Sequence, residues 1–343
     1  MLSSVRWMPS TPDSSVGMGP YKFDALIRPL AKRLSADHMS ALGIANTMRL
    51  AYAYNRIKFR RQDAWRRSLY HEQFAALLDE NGPYTKPRIQ MRDGWAVDAS
   101  MSLPHLDRVL EDAEKIIAKR AGVRRKKDSY RSYFQDLWMQ SDVESYPSFL
   151  DFATSSGVLA TVAECLQCVP VLSTAGPPGI RFVESNAAFD DEPERPKDSQ
   201  MYHIDFYSLP NVYVIVLLRD TTHEHGPLTF LPRSVSQKVA AGLNYWGRGC
   251  PYRIPDEGIY GLVDRNEVIE FCGRRGTILF IESSGCFHYG SRNSVKPRLQ
   301  LMLGYTGTFR TDFAELVAVP RPFPIRPSDS RLRKLLLAKH MLE

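Results

Sequence analysis

The sequence predicts a mainly β fold with α: a jelly-roll core of short strands covered by an N-terminal helical layer. Through the first half of the chain, apolar residues recur every three or four positions, the spacing of a helix with one buried face. After Pro177-Pro178 the pattern turns to short β-branched and aromatic runs bounded by turn residues, which is how a strand-rich sandwich or barrel reads. No helical pattern separates those runs, which argues against a parallel βαβ sheet.

The helical stretches come in order as FDALIRPLAKRLS, DHMSALGIANTMRLAYAYNRI and DAWRRSLYHEQFAALLDENG. Asn81-Gly82-Pro83 ends the third, because glycine frees the backbone and proline cannot continue a helical hydrogen-bond ladder. Two more helices are expected at LPHLDRVLEDAEKIIAKRAG and SYPSFLDFATSSGVLATVAECLQCV. The expected strands are IRFVES, QMYHIDFYS, NVYVIVLLRD, LTFLP, NEVIEF, GTILFIE and RLQLMLGYTG. The tail SDSRLRKLLLAKHMLE reads as a last amphipathic helix, packed outside or at a subunit contact. The expected organisation is a helical region over 1–175, the core over 176–315 and a tail with its helix over 316–343.

A chain of 343 residues is long enough for one large catalytic domain. Its 43% hydrophobic and 24% charged content excludes a disordered or fibrous protein. No run approaches the roughly 18 apolar residues of a membrane span, and the first twenty residues lack the apolar core of a signal peptide, so a cytoplasmic location is expected. Five scattered cysteines suggest reduced thiols. Cys165-x-x-Cys168 has no second pair to complete a zinc site and lies in an apolar helical stretch, so it reads as core packing.

The net charge of +7 favours an anionic partner. Much of it sits in Arg56, Lys58, Arg60, Arg61, Arg66 and Arg67, then in Arg120, Arg124, Arg125, Lys126 and Lys127. No nucleic-acid-binding motif accompanies these residues, so they read as a solvated helix face and a basic loop. The expected partner is a small-molecule substrate, bound by a monomer or homodimer.

One constellation carries chemistry. On an expected strand, His203 and Asp205 are two residues apart and point to one face. His288 follows 85 residues after His203, at the end of GTILFIESSGCFH. Two histidines and one carboxylate on one face of a metal leave the opposite positions open, as Fe(II) needs to hold a bidentate co-substrate and O2. Ten residues past His288, Arg298 opens the strand RLQLMLGY, where its guanidinium can clamp a distal carboxylate. Arg292 competes for that role from the SRNS turn, while Tyr289 and Ser294 are either pocket or surface-turn residues. His223-Glu224-His225 offers another histidine pair, but GPLTF follows it where a cupin site would need a glutamate, so it reads as a polar turn.

These residues resemble the phytanoyl-CoA dioxygenase family of Fe(II)/2-oxoglutarate oxygenases. The likeness covers roughly residues 179–310: His203 and Asp205, then Gly226, Leu228, Pro232 and Ser234, then Gly276, His288, Asn293 and Arg298, in the family's order. Where the family has Gly-Ser-His after the proline, this chain has Arg233-Ser234-Val235, and Thr277 replaces an aspartate. The tryptophan that some members carry on the strand after HxD is absent from NVYVIVLLRD.

The resemblance implies a double-stranded β-helix, iron on His203, Asp205 and His288, and 2-oxoglutarate held by Arg298; Asn293, from the matched motif, and Ser294, beside it in the turn, are the other expected co-substrate-binding residues. It implies oxidation of an unidentified substrate, anionic or acyl- or carrier-linked, with release of succinate and CO2. Because Asp205 is intact, hydroxylation is expected over halogenation. A catalytically silent β-barrel and a different metal-dependent cupin-type enzyme are the alternatives. Long connections, Asp190–Gln200 and Gln237–Gly261, are expected to form a lid and substrate contacts.

Overall fold

The computed structural model describes residues 20–36, 43–82, 89–121, 133–175, 179–189, 195–247 and 249–339. Its strands are β1 (Trp95–Asp98), β2 (Phe134–Asp136), β3 (Val171–Leu172), β4 (Ile180–Ser185), β5 (Asn211–Leu217), β6 (Thr229–Phe230), β7 (Ile269–Glu270), β8 (Ile278–Glu282), β9 (His288–Tyr289) and β10 (Arg298–Thr306). The large sheet runs β1-β8-β5-β10-β4-β2, with β3 also on β10, and the small one runs β7-β6-β9. Their pairings are antiparallel. The expected β core with helical cover is therefore present, and three of its strands come from the N-terminal half.

Each long strand of the large sheet divides its residues between two faces, because side chains alternate along a strand. One face carries Phe182 from β4, Val214 from β5, Phe280 from β8 and Leu301 from β10, all in the principal hydrophobic core. The other face turns toward the small sheet, where Tyr213, Ile215, Leu279 and Ile281 meet Leu228 and Phe230. The strands are buried on both sides, so they read as nearly continuous apolar runs.

Four longer helices lead in: α1 (Pro20–Ala36), α2 (Ile44–Lys58), α3 (Arg60–Asn81) and α4 (Leu106–Arg120). Helix α3 stops where expected, with Gly82 at φ 147 beyond Asn81. The long apolar stretch before β3 is split into α5 (Asp142–Ser145), α6 (Ser148–Ala153) and α7 (Ser156–Leu166). Behind α4, Arg120 and Asp142 form a buried pair, both carboxylate oxygens lying 2.7 Å from one guanidinium nitrogen. The later helices are α8 (Arg233–Gly242), α9 (Asp256–Tyr260), α10 (Ala314–Val317) and α11 (Arg331–Leu337).

Three expectations change. Arg66 is on no solvated face: it is fully buried and donates to the Leu335 carbonyl at 2.6 Å and to those of Val169 and Pro170 at 3.2 Å. It thereby ties α3 to α11, the final helix, which is not peripheral either, since Leu332, Leu335 and Leu336 belong to the core. The segment Gln237–Gly261 is not a long open connection. It contains the end of α8 and all of α9, and Tyr245, Tyr252, Ile254 and Ile259 pack with Tyr202 and Ile204 as a wall. Lys58 is paired with Asp24 and Arg67 with Asp63. The basic residues Arg124, Arg125, Lys126 and Lys127, and the Asp190–Glu194 part of the expected lid, lie outside the described residues.

Candidate metal centre

His203 and His288 are directly opposed in an antiparallel bridge, exchanging backbone hydrogen bonds of 3.1 and 2.9 Å. Opposed residues present their side chains on the same side, and here the ring centroids lie 4.4 Å apart. The bridge is isolated: QMYHIDFYS is not the continuous strand its alternation suggests, because only Tyr202 and His203 pair, each with a different partner. Asp205 is placed instead by its own N–H, which donates to the Ser283 carbonyl at 3.0 Å, just past β8. Between the two ligand candidates, the Ile204 carbonyl accepts from Tyr252 Oη at 2.9 Å, so the aromatic wall fixes this segment from behind.

The three side chains converge. Asp205 Oδ1 is 3.9 Å from His203 Nε2, and Oδ2 is 3.6 Å from His288 Nε2. The ligand atoms all lie within 4.8 Å of one another, and each residue is at least nine-tenths buried. Nδ1 of His203 is 2.9 Å from the Met201 carbonyl, and Nδ1 of His288 is 2.9 Å from that of Cys286. Donation from Nδ1 fixes the tautomer and turns each Nε2 lone pair toward the centre. This donor set, two imidazoles and a carboxylate already oriented by backbone acceptors, fits a divalent transition metal.

Arg298 shares the cavity with them. It is 3% exposed, and Nη1 donates to the Gly226 carbonyl at 2.5 Å while Nη2 reaches Ser291 Oγ at 2.9 Å and Ser185 Oγ at 3.2 Å. Its buried Nε has no partner, and no carboxylate pairs with it among the described residues. Burial accordingly pushes the guanidinium down to about 10. A buried cation held only by neutral oxygens is costly, so this wall of the cavity is electrostatically set to receive an anion. Gly290 crosses the guanidinium so closely that an added Cβ would lie 3.3 Å from Nη2.

The other expected binding residues fall elsewhere. Asn293 is exposed in the left-handed turn before β10, with φ 50. Ser294 is buried but spends its hydroxyl on the carbonyls of His225 and Lys296 at 3.1 Å, fastening the turn rather than lining the cavity. Arg292 is occupied: it pairs with Asp256 at 2.8 Å and lies 3.6 Å from the Tyr289 ring centre. His223 and His225 sit on a short turn away from the cavity, His223 hydrogen-bonded to Glu270. Cys165 and Cys168 are unpaired, with thiols pushed up to about 12 and about 11 by burial, as core residues rather than a redox pair.

Ser185, Ser291, Arg181 and Gln300 also line or close the cavity, and sequence reasoning did not single them out. Their only signal is position: Arg181 and Ser185 alternate with Phe182 on β4, and Gln300 alternates with Leu299 and Leu301 on β10.

No family model and no curated protein matches this chain. Among solved structures, it is similar to EctD from S. alaskensis with 2-oxoglutarate and 5-hydroxyectoine, at 17% identity over 63% of this chain and 73% of that one, TM-score 0.41. It is similar to SnoN, a non-heme alpha ketoglutarate dependent epimerase from nogalamycin biosynthesis, at 16% identity over 75% of this chain and 94% of that one, TM-score 0.41. It is likewise similar to HygX from Streptomyces hygroscopicus with nickel and 2-oxoglutarate bound, at 16% identity over 63% and 83%, TM-score 0.39. Among the described residues, no helix is long and apolar enough to cross a membrane.

Proposed function

We propose that this chain is an Fe(II)- and 2-oxoglutarate-dependent oxygenase that hydroxylates a small molecule, of the phytanoyl-CoA dioxygenase-like type its motif order suggests. The observation that carries the reading is the pairing, in one buried cavity, of the His203, Asp205 and His288 donor set with an arginine that has no acidic partner. A silent barrel has no use for the donor set, and a metal enzyme that takes no anion has no use for that arginine.

In this reading His203, Asp205 and His288 hold the metal, and Arg298 holds the distal carboxylate of 2-oxoglutarate. When bound, the metal would supply activation of O2, one oxygen atom going to succinate as 2-oxoglutarate loses CO2 and the other to the substrate. The protein orients and shields. Nδ1 of each histidine donates to a backbone carbonyl, which leaves Nε2 as the ligand nitrogen of the neutral ring. Ser185 and Ser291 steady the guanidinium fork, which adds directional specificity to its charge. The apolar walls, among them Leu228, Ile215 and Ile281, exclude water from the reacting centre.

Anaerobic titration of metal-free protein with Fe(II) and then 2-oxoglutarate tests this. A weak visible charge-transfer band is expected in the parent and is lost in Asp205→Ala. In Arg298→Ala it is reached only at roughly 30- to 150-fold higher 2-oxoglutarate, the equivalent of about 2–3 kcal/mol for charged hydrogen bonds. Absence of the band in folded, metal-loaded parent protein would sink the oxygenase reading.

A further inference from the structure

The cavity holds a second cation. Arg181 projects from β4 on the same face as Ser185 and lines the cavity. Its Nε lies 3.1 Å from Asp136 Oδ2, and its guanidinium carbon is 5.4 Å from the Phe134 ring centre. Asp136 Oδ1 accepts from the backbone N–H groups of Trp138 and Phe182 at 3.1 and 3.2 Å. One carboxylate thus serves three donors, and the two terminal nitrogens of Arg181 hydrogen-bond to none of the described residues. They remain as a fork fixed at its base by an ion pair and an aromatic ring.

The same face of the sheet carries an unsatisfied acceptor. Gln300 is 3% exposed, lines the cavity, and its Oε1 is buried with no hydrogen-bond partner. In the sheet register Met302 faces Arg181 and Gln300 faces Val183, so Arg181 and Gln300 are diagonal neighbours on one face. Diagonal positions are about 7–8 Å apart, within reach of two long side chains. A buried amide oxygen without a donor is destabilising unless a ligand supplies one. Arg298, by contrast, faces Ser185, four residues along β4 from Arg181. That offset is about 13 Å of strand, enough to seat one anion at each end.

Building on the oxygenase reading, we propose that Arg181 and Gln300 anchor the prime substrate, and that this substrate is a small carboxylate with a hydroxyl or amine beside the carboxylate and an apolar body. The carboxylate takes the free edge of the Arg181 guanidinium, and the neighbouring O–H or N–H donates to Gln300 Oε1. The apolar body lies along Tyr213, Ile215 and Met302, which line the same cavity. Arg298 remains committed to the co-substrate, so the two arginines divide two anions between them.

The test is calorimetric titration of mandelate, 3-phenyllactate and phenylalanine, each against its primary amide, into protein loaded with Mn(II) and 2-oxoglutarate. At least one of the acids is expected to bind, and its amide to bind about tenfold or more weaker, the loss of one charge-assisted contact. Arg181→Gln should weaken that acid by a similar factor, while the Fe(II)/2-oxoglutarate band keeps its parent midpoint. Gln300→Leu should erase the preference for mandelate over phenylacetate, which lacks the donor. Equal binding of acid and amide, no binding by any acid, or unchanged acid binding in Arg181→Gln overturns the proposal. A band midpoint that shifts in Arg181→Gln overturns it too, by assigning Arg181 to the co-substrate. If the band never forms, the oxygenase reading fails separately, and the same acid titrations on metal-free parent and Arg181→Gln protein still decide the role of Arg181.

Discussion

The two faces of the large sheet share their strands yet differ in what they require. Toward the helices, β4, β5, β8 and β10 present Ile180, Phe182, Val214, Phe280 and Leu301, an apolar surface with Glu184 and Glu282 at its margins. Toward the small sheet the same strands present Arg181, Ser185, Arg298 and Gln300 among Tyr213, Ile215 and Ile281. The helical face gains free energy from burial along most of its length, and the cavity face gives up some of it to buried polar groups, among them Gln300 Oε1 and Arg298 Nε, that have no protein partner. Stability and function are thereby assigned to opposite sides of a single pleated layer.

That division is broken most severely on the helical side. Phe182 is fully buried and packs near Phe149, with ring centroids 6.5 Å apart. Phe182→Ala should lower unfolding free energy by about 3–5 kcal/mol, measured by denaturant titration; a loss under 1 kcal/mol would mean the layer is far less tightly packed than described. On the cavity side, Arg298→Met should change the stability of ligand-free protein by no more than about 1 kcal/mol, because the lost hydrogen bonds are offset by removal of a buried unpaired charge. The parent should be stabilised by 2-oxoglutarate in a thermal melt, by roughly 2.7 kcal/mol at 100 times its dissociation constant, and the variant much less. The smallest effect is expected from Gly290→Ala. Its methyl would press on the Arg298 guanidinium, so co-substrate KM should rise roughly tenfold with the melting temperature nearly unchanged.

The same contrast explains what the sequence disclosed. Long buried strands such as NVYVIVLLRD and RLQLMLGYTG were legible because burial on both sides demands apolar runs. The four-residue β1 and three-residue β2 were not, because WAVD and FQD are too short for a period and owe their conformation to β8 and β4. His203, Asp205 and His288 stood out because those residue types at that spacing are chemically distinctive. Ser185, Ser291 and Gln300 did not, since serine and glutamine occur anywhere and only the register brings them to the cavity. Asn293 drew notice by motif order and Ser294 by its place next to it, whereas the backbone turns the first into solvent and uses the second to fasten the turn.

The backbone bridge between His203 and His288 has a consequence for how the chain assembles. A slip of one residue between two paired segments sends every side chain to the opposite side. Here that slip would turn an imidazole out of the cavity and leave Asp205 facing a single nitrogen, and the HxD segment has few other ladder bonds to prevent it. Only the correct alignment brings three donors together, so under the proposed function a bound metal ion would select that alignment from its neighbours and hold it. The ion would then act as a proofreader of folding: protein matured without metal should contain misregistered molecules, and adding the ion late should recover them no faster than the segment can unpair and try again.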